Sequence, residues 1–172
     1  MTQPKTYHKL WMDIAIRVST ESKCQRRKVG AIAVKDDRII SIGWNGTHPG
    51  HDNCCENKIY MDHDAGGWLS PEEIYERWPY VEVDPETKLP TIRYRLETKP
   101  EVIHAESNML GKLAGSHESA KDASIYITLA PCLECAKQLA VAKVKEVIYN
   151  EEYRGTEGVD HLRKCNIPVF KL

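Results

Sequence analysis

Two short stretches of this 172-residue sequence hold the side chains best suited to chemistry: His104-Ala-Glu106 and Pro131-Cys-Leu-Glu-Cys135. His104 offers an imidazole nitrogen; Cys132 and Cys135 offer two thiolates. That donor set suits zinc. Structural zinc sites are closed by four protein ligands, whereas catalytic sites use three and leave one position for water. A closed site here would recruit one more cysteine and leave Glu106 without a role. In the open reading Glu106 has one. A carboxylate beside a metal-activated water can take its proton and pass it to a departing group.

Each half of this pattern is weak alone. His-x-Glu occurs by chance, and Cys-x-x-Cys also marks redox pairs and half-sites of structural zinc. Context sharpens it: a proline precedes the first cysteine, one strand separates the halves, and each half sits at a helix start. Residues 123–129 alternate as a strand, and residues 131–142 read as a helix opened by proline. A helix from His104 to about residue 113 carries the first half. Cys132 and Cys135, three apart, share one helix face. The positive end of the helix dipole favours their thiolate forms. Two helix N-termini are thus expected to converge on one metal.

The remaining elements frame this pair. Residues 6–23 predict a first helix, with Leu10, Ile14 and Val18 at helical spacing and Trp11 and Ala15 beside them. Residues 29–34 and 38–44 predict two strands joined in a hairpin across residues 35–38. Residues 45–53 are rich in turn formers and predict a loop. A short helix is expected over 54–61. Residues 62–100 read as an irregular insertion within one domain spanning 1–172. Inside it, Ser70-Pro-Glu-Glu marks a helix start, and 80–83 and 91–96 form a candidate strand pair. A strand over 145–149, a helix over 158–164 and a last strand over 167–170 complete an α/β pattern covered on both faces.

Bulk properties narrow the partners. With 41% hydrophobic and 28% charged residues, the chain has the make-up of a globular protein. No apolar run approaches the roughly 20 residues of a membrane span, and the first residues do not read as a signal peptide, so no membrane and a cytoplasmic location are expected. The net charge of −1 argues against a broad nucleic-acid surface. One basic cluster, Lys23, Arg26, Arg27 and Lys28, is enough for one or a few phosphates, or is a solvated loop. In a reducing cytosol the six cysteines favour metal over disulfides. His8, His117 and His161 read as surface residues.

The zinc deaminases share the H-x-E…P-C-x-x-C arrangement, and the wider sequence resembles one branch of them. Ser22-Lys-Cys24, Lys28-Val-Gly-Ala-Ile32, Ile39-Ile-Ser-Ile-Gly-Trp-Asn-Gly46, Asp52-Asn-Cys-Cys55, His104-Ala-Glu106, Leu129-Ala-Pro-Cys-Leu-Glu-Cys-Ala136 and Val147-Ile-Tyr149 fall in one order. That order resembles the deoxycytidylate deaminases of the cytidine deaminase superfamily, closest to the phage-type enzymes. The resemblance implies a three-layer α/β/α sandwich around a mixed five-stranded sheet. It implies hydrolysis of dCMP to dUMP and ammonia, with zinc on His104, Cys132 and Cys135 and proton transfer by Glu106. Asn45 would bond the sugar, the backbone at Ala105 would contact the pyrimidine, and Tyr153 would lie over the substrate. Arg26 and Lys28 would hold the 5′-phosphate. The family implies a homohexamer, activation by dCTP with Mg²⁺ and inhibition by dTTP; a phage-encoded member would act in the host cytoplasm.

Several readings stay open on the sequence. Asn45-Gly46 is also an ordinary turn pair. Some phage-type relatives carry a second, structural zinc on cysteines matching Cys24 and Cys54; the segment before His104 lacks the histidine this needs, and His48, His51 or His63 would have to substitute. Otherwise the two are buried thiols. Deamination of another free cytosine or adenine nucleoside or nucleotide, or of tRNA, is a rival activity. A non-catalytic, nucleotide-sensing deaminase fold is a rival class, disfavoured by the presence of Glu106.

Overall fold

The computed structural model describes residues 5–62 and 69–172. β1 (Gly30–Lys35) and β2 (Arg38–Trp44) form the expected hairpin. Asp36 and Asp37 at its tip have φ of 50° and 56°. A two-residue primed turn needs positive φ at both positions, and Asp tolerates it better than most residues. β1 also pairs antiparallel with β6 (Ser124–Leu129). Beyond it, β7 (Glu146–Glu151) and β8 (Val169–Lys171) add in parallel. The result is the mixed five-stranded sheet, in the order β2-β1-β6-β7-β8.

Strand alternation sends successive side chains to opposite faces. Ile32, Val34, Tyr126 and Ile148 meet α1 (Lys5–Ser19). Ala31, Ala33, Ile125, Ile127 and Val147 face the opposite side, under α3 (Ala105–Ala114), α4 (Leu133–Val141) and α5 (Glu157–Lys164). This is the expected three-layer arrangement. The face that α1 buries departs from expectation at one position: Trp11, Ile14, Ala15 and Val18 pack on the sheet, and Met12 takes the place of Leu10. Met12, Ala15 and Val18 are in the core, while Leu10 is 48% exposed. Two apolar stripes overlap on this helix, and spacing alone cannot choose between them. Ala15, small and fully buried, lets the helix lie close to the sheet. His8 is half-buried rather than a plain surface residue, and its Nδ1 lies 3.0 Å from the Tyr126 hydroxyl.

The segment between β2 and α3 is more regular than expected. Where a helix was expected over 54–61, the chain forms β3 (Glu56–Tyr60). Its partner, β5 (Pro90–Thr98), lies some forty residues on, so no local pattern reveals it. β4 (Tyr80–Val83) pairs with β5 as expected, giving a second sheet in the order β3-β5-β4. α2 (Pro71–Arg77) begins where the sequence indicates. Ser70 and Glu73 make a reciprocal capping box and proline occupies the first turn. Among the described residues no helix is long and apolar enough to cross a membrane.

Candidate active site

His104 and Cys132 hold equivalent places. Each immediately precedes a helix, α3 and α4 respectively, with extended backbone (φ −70°, ψ 155° and φ −71°, ψ 168°). A side chain at that position commonly caps the helix by accepting from its first N–H groups. Neither does so here, and both turn to each other instead. Pro131 therefore stands just before the cap rather than inside the first turn. Cys135, one turn on, comes from the same side of α4 as Cys132.

His104 Nδ1 lies 3.5 Å from Cys132 Sγ and 3.3 Å from Cys135 Sγ. All three donor atoms fall within 4.8 Å of one another, and among the described residues the group has these three members. A tetrahedral zinc with bonds of about 2.3 Å to sulfur and about 2.0–2.1 Å to nitrogen demands nitrogen–sulfur edges of about 3.5 Å. The observed separations meet that demand, so the residues fit zinc. Hydrogen bonds with Cys135 and His104 hold the Cys132 thiol far below its ordinary range. The bond to Cys132, followed by burial, pushes Cys135 up. The bond to Cys132 also raises His104, against the opposing effect of burial.

Glu106 is the second residue of α3 and only 4% exposed. Burial pushes its carboxyl above the usual carboxylate range, which suits a group that must both take and give a proton. Two glycines permit this convergence. At Gly43 in β2, a Cβ would strike the Ala105 carbonyl oxygen and the Met109 backbone, so α3 rests directly on the strand. At Gly158 in α5, a Cβ would strike the Pro131 carbonyl oxygen and the Cys132 backbone.

These groups open into a cleft with a cavity volume of about 130 Å³. His104, Ala105, Glu106 and Cys132 line it, with Leu129 and Ala130 beside them. Of the residues expected to touch substrate, Arg26, Asn45, Ala105 and Tyr153 line it as well. Lys28 does not. It turns to a neighbouring depression with Ile16, Ser19 and Thr128, while Arg27 lines both. Asn45 carries a duty the sequence did not reveal. Its Oδ1 accepts from Val29 N–H at 2.8 Å and its Nδ2 donates to Arg27 C=O at 2.9 Å, which fixes the basic loop and leaves one amide hydrogen for a ligand.

Arg154, Glu56 and Thr98 also line the cleft. Sequence reasoning missed all three; only Arg154, a cation next to Tyr153, left a readable signal. The second-metal expectation fares differently. Cys24 is buried against Cys55 and Val102, and burial followed by its bond to Cys55 pushes its thiol up to about 12. Cys54 is exposed, with Sγ 3.3 Å from the Glu56 carbonyl oxygen. As the chain enters β3, neighbouring side chains diverge, so Cys55 takes the inward place expected of Cys54. His48 and His51 are exposed and packed on each other, and His63 lies outside the described residues.

A three-layer α/β/α fold with three metal donors, an open side and a buried carboxylate defines the zinc-deaminase class. Residues 5–151 match the family described as "Cytidine and deoxycytidylate deaminase zinc-binding region", and the chain belongs to that family. It is 34% identical to a deoxycytidylate deaminase of Enterobacteria phage T4, over 94% of this chain and 87% of the relative. A deoxycytidylate deaminase of Mus musculus shares 30% identity over 94% of this chain and 72% of its own length. Among solved structures, the dCMP deaminase of cyanophage S-TIM5 in complex with dCMP and dUMP superimposes with a TM-score of 0.74 at 34% identity. That match covers 99% of this chain and 100% of the other.

Proposed function

We propose that this chain hydrolyses dCMP to dUMP and ammonia in a zinc-dependent reaction. The observation that carries the reading is one cleft lined by His104 and Cys132 of the donor triad, by Glu106, and by Arg26, Arg27 and Arg154. His104, Cys132 and Cys135 would hold zinc, which as a Lewis acid would lower the pKa of a water from about 15.7 to near 7. Glu106 takes one proton from the attacking water and gives it to the pyrimidine ring nitrogen, then takes the second from the new hydroxyl and gives it to the amine, which leaves as ammonia while the carbonyl forms. The Ala105 backbone orients the base, and Tyr153 covers it. Asn45 offers its remaining amide hydrogen to the sugar. Arg26, with Arg27 in the place first assigned to Lys28, meets the 5′-phosphate, for which guanidinium forks are suited.

In this reading the whole chain acts as one deaminase domain, with the β3-β5-β4 sheet as an insertion. The family resemblance extends the proposal to a cytoplasmic homohexamer activated by dCTP with Mg²⁺ and inhibited by dTTP. A second zinc at Cys24 would draw on Cys55 rather than Cys54. Side-by-side assays with dCMP, CMP, deoxycytidine and cytidine test the substrate. Turnover of dCMP well above the other three supports it, and equal turnover of deoxycytidine contradicts the phosphate contacts.

A further inference from the structure

The small sheet lies outside the zinc triad, yet one of its ends enters the cleft. Glu56 opens β3, Thr98 closes β5, and the two are paired in register. Both line the cleft. Glu56 is 8% exposed, and its carboxylate is committed to backbone. Oε1 accepts from Gln25 N–H at 3.0 Å and from Arg26 N–H at 3.1 Å, and Oε2 from Gln25 N–H at 3.2 Å. Thr98 Oγ1 accepts from Arg26 Nη1 at 3.4 Å. Asn45 grips the same loop at Arg27 and Val29. The loop is therefore held at both ends.

A buried anion facing an anionic ligand is unfavourable unless its charge is already satisfied. Charge-assisted bonds to two backbone N–H groups satisfy it here and are stronger than neutral ones. We infer that Glu56, with Thr98, is a positioning residue for the substrate's phosphate end. Glu56 fixes the backbone of Arg26 and Thr98 its guanidinium, so that the small sheet braces the phosphate-binding loop. This rests on the reading that the basic loop takes the 5′-phosphate.

The test is steady-state kinetics on dCMP with the zinc-loaded wild type and the variants Glu56→Ala, Glu56→Gln, Arg26→Ala and Glu56→Ala/Arg26→Ala. Loss of bonds to a charged acceptor predicts that Glu56→Ala raises KM roughly tenfold or more, with a much smaller change in kcat. Glu56→Gln, which keeps a carbonyl acceptor in place, should recover most of that loss. The double variant should be no worse than Arg26→Ala, because Glu56 acts through Arg26. Additive losses in the double variant, or a Glu56→Ala defect confined to kcat, overturn the inference. If Arg26→Ala raises KM and neither Glu56 variant does, the phosphate reading stands and the brace is wrong. If Arg26→Ala leaves KM unchanged, the phosphate reading fails and takes the brace with it. Thr98→Val, a milder change, should shift KM in the same direction as Glu56→Ala, and an unchanged KM there removes Thr98 from the brace.

Discussion

Glu106 is buried beside three side chains placed to hold a metal and is not one of them. Burying a carboxyl costs folding free energy, and a buried, perturbed carboxyl in a cleft is the mark of a functional group. Glu106→Gln should therefore keep the wild-type zinc content by metal analysis while turnover falls by about 10²–10⁴-fold or more. A variant that retains turnover removes the proton carrier from the mechanism. Cys132→Ala and Cys135→Ala should instead lose zinc and activity together, because each removes one of three donors. His104, Glu106, Cys132 and Cys135 were legible because residue type, spacing and the helix starts around them point together to one chemistry. Glu56, Thr98 and Arg154 were not, since they reach the cleft through contacts between distant segments. Lys28 was misplaced for a related reason. Sequence shows that a loop is basic but not which way each side chain of it turns.

The helices and strands were readable where each carries its own period or cap. The β1–β2 hairpin, α2 with its capping box and α3 and α4 behind their metal ligands all fell close to the expected positions. β3 was read as a helix because its pairing partner is remote, and in α1 only packing shows that Met12 rather than Leu10 turns inward. Close approach of elements is likewise invisible until they meet. The contact of α5 with the Pro131–Cys132 backbone yields a direct test. Gly158→Val should displace that backbone, destabilise the fold by about 1–3 kcal/mol in denaturant titration, and weaken zinc binding in a competition assay. Unchanged zinc affinity would show that α5 does not set the position of Cys132.

For the molecule as a whole, the candidate metal donors come from two segments that the β6 strand joins, so zinc bound there would link metal binding to folding. A ligand that binds only the folded state, present at 100 times its dissociation constant, stabilises by about 2.7 kcal/mol. Chelation should accordingly lower the midpoint of thermal unfolding, and readdition of zinc should restore it. An identical midpoint with and without metal would mean that the triad does not bind zinc in the folded chain. The most direct measurement is the release of ammonia from dCMP, followed with the zinc-loaded protein, the chelated protein and Glu106→Gln. The prediction is rapid stoichiometric formation of dUMP by the first alone, recovered in the second when zinc is returned. Undiminished deamination without metal, or none from the zinc-loaded protein, would contradict it.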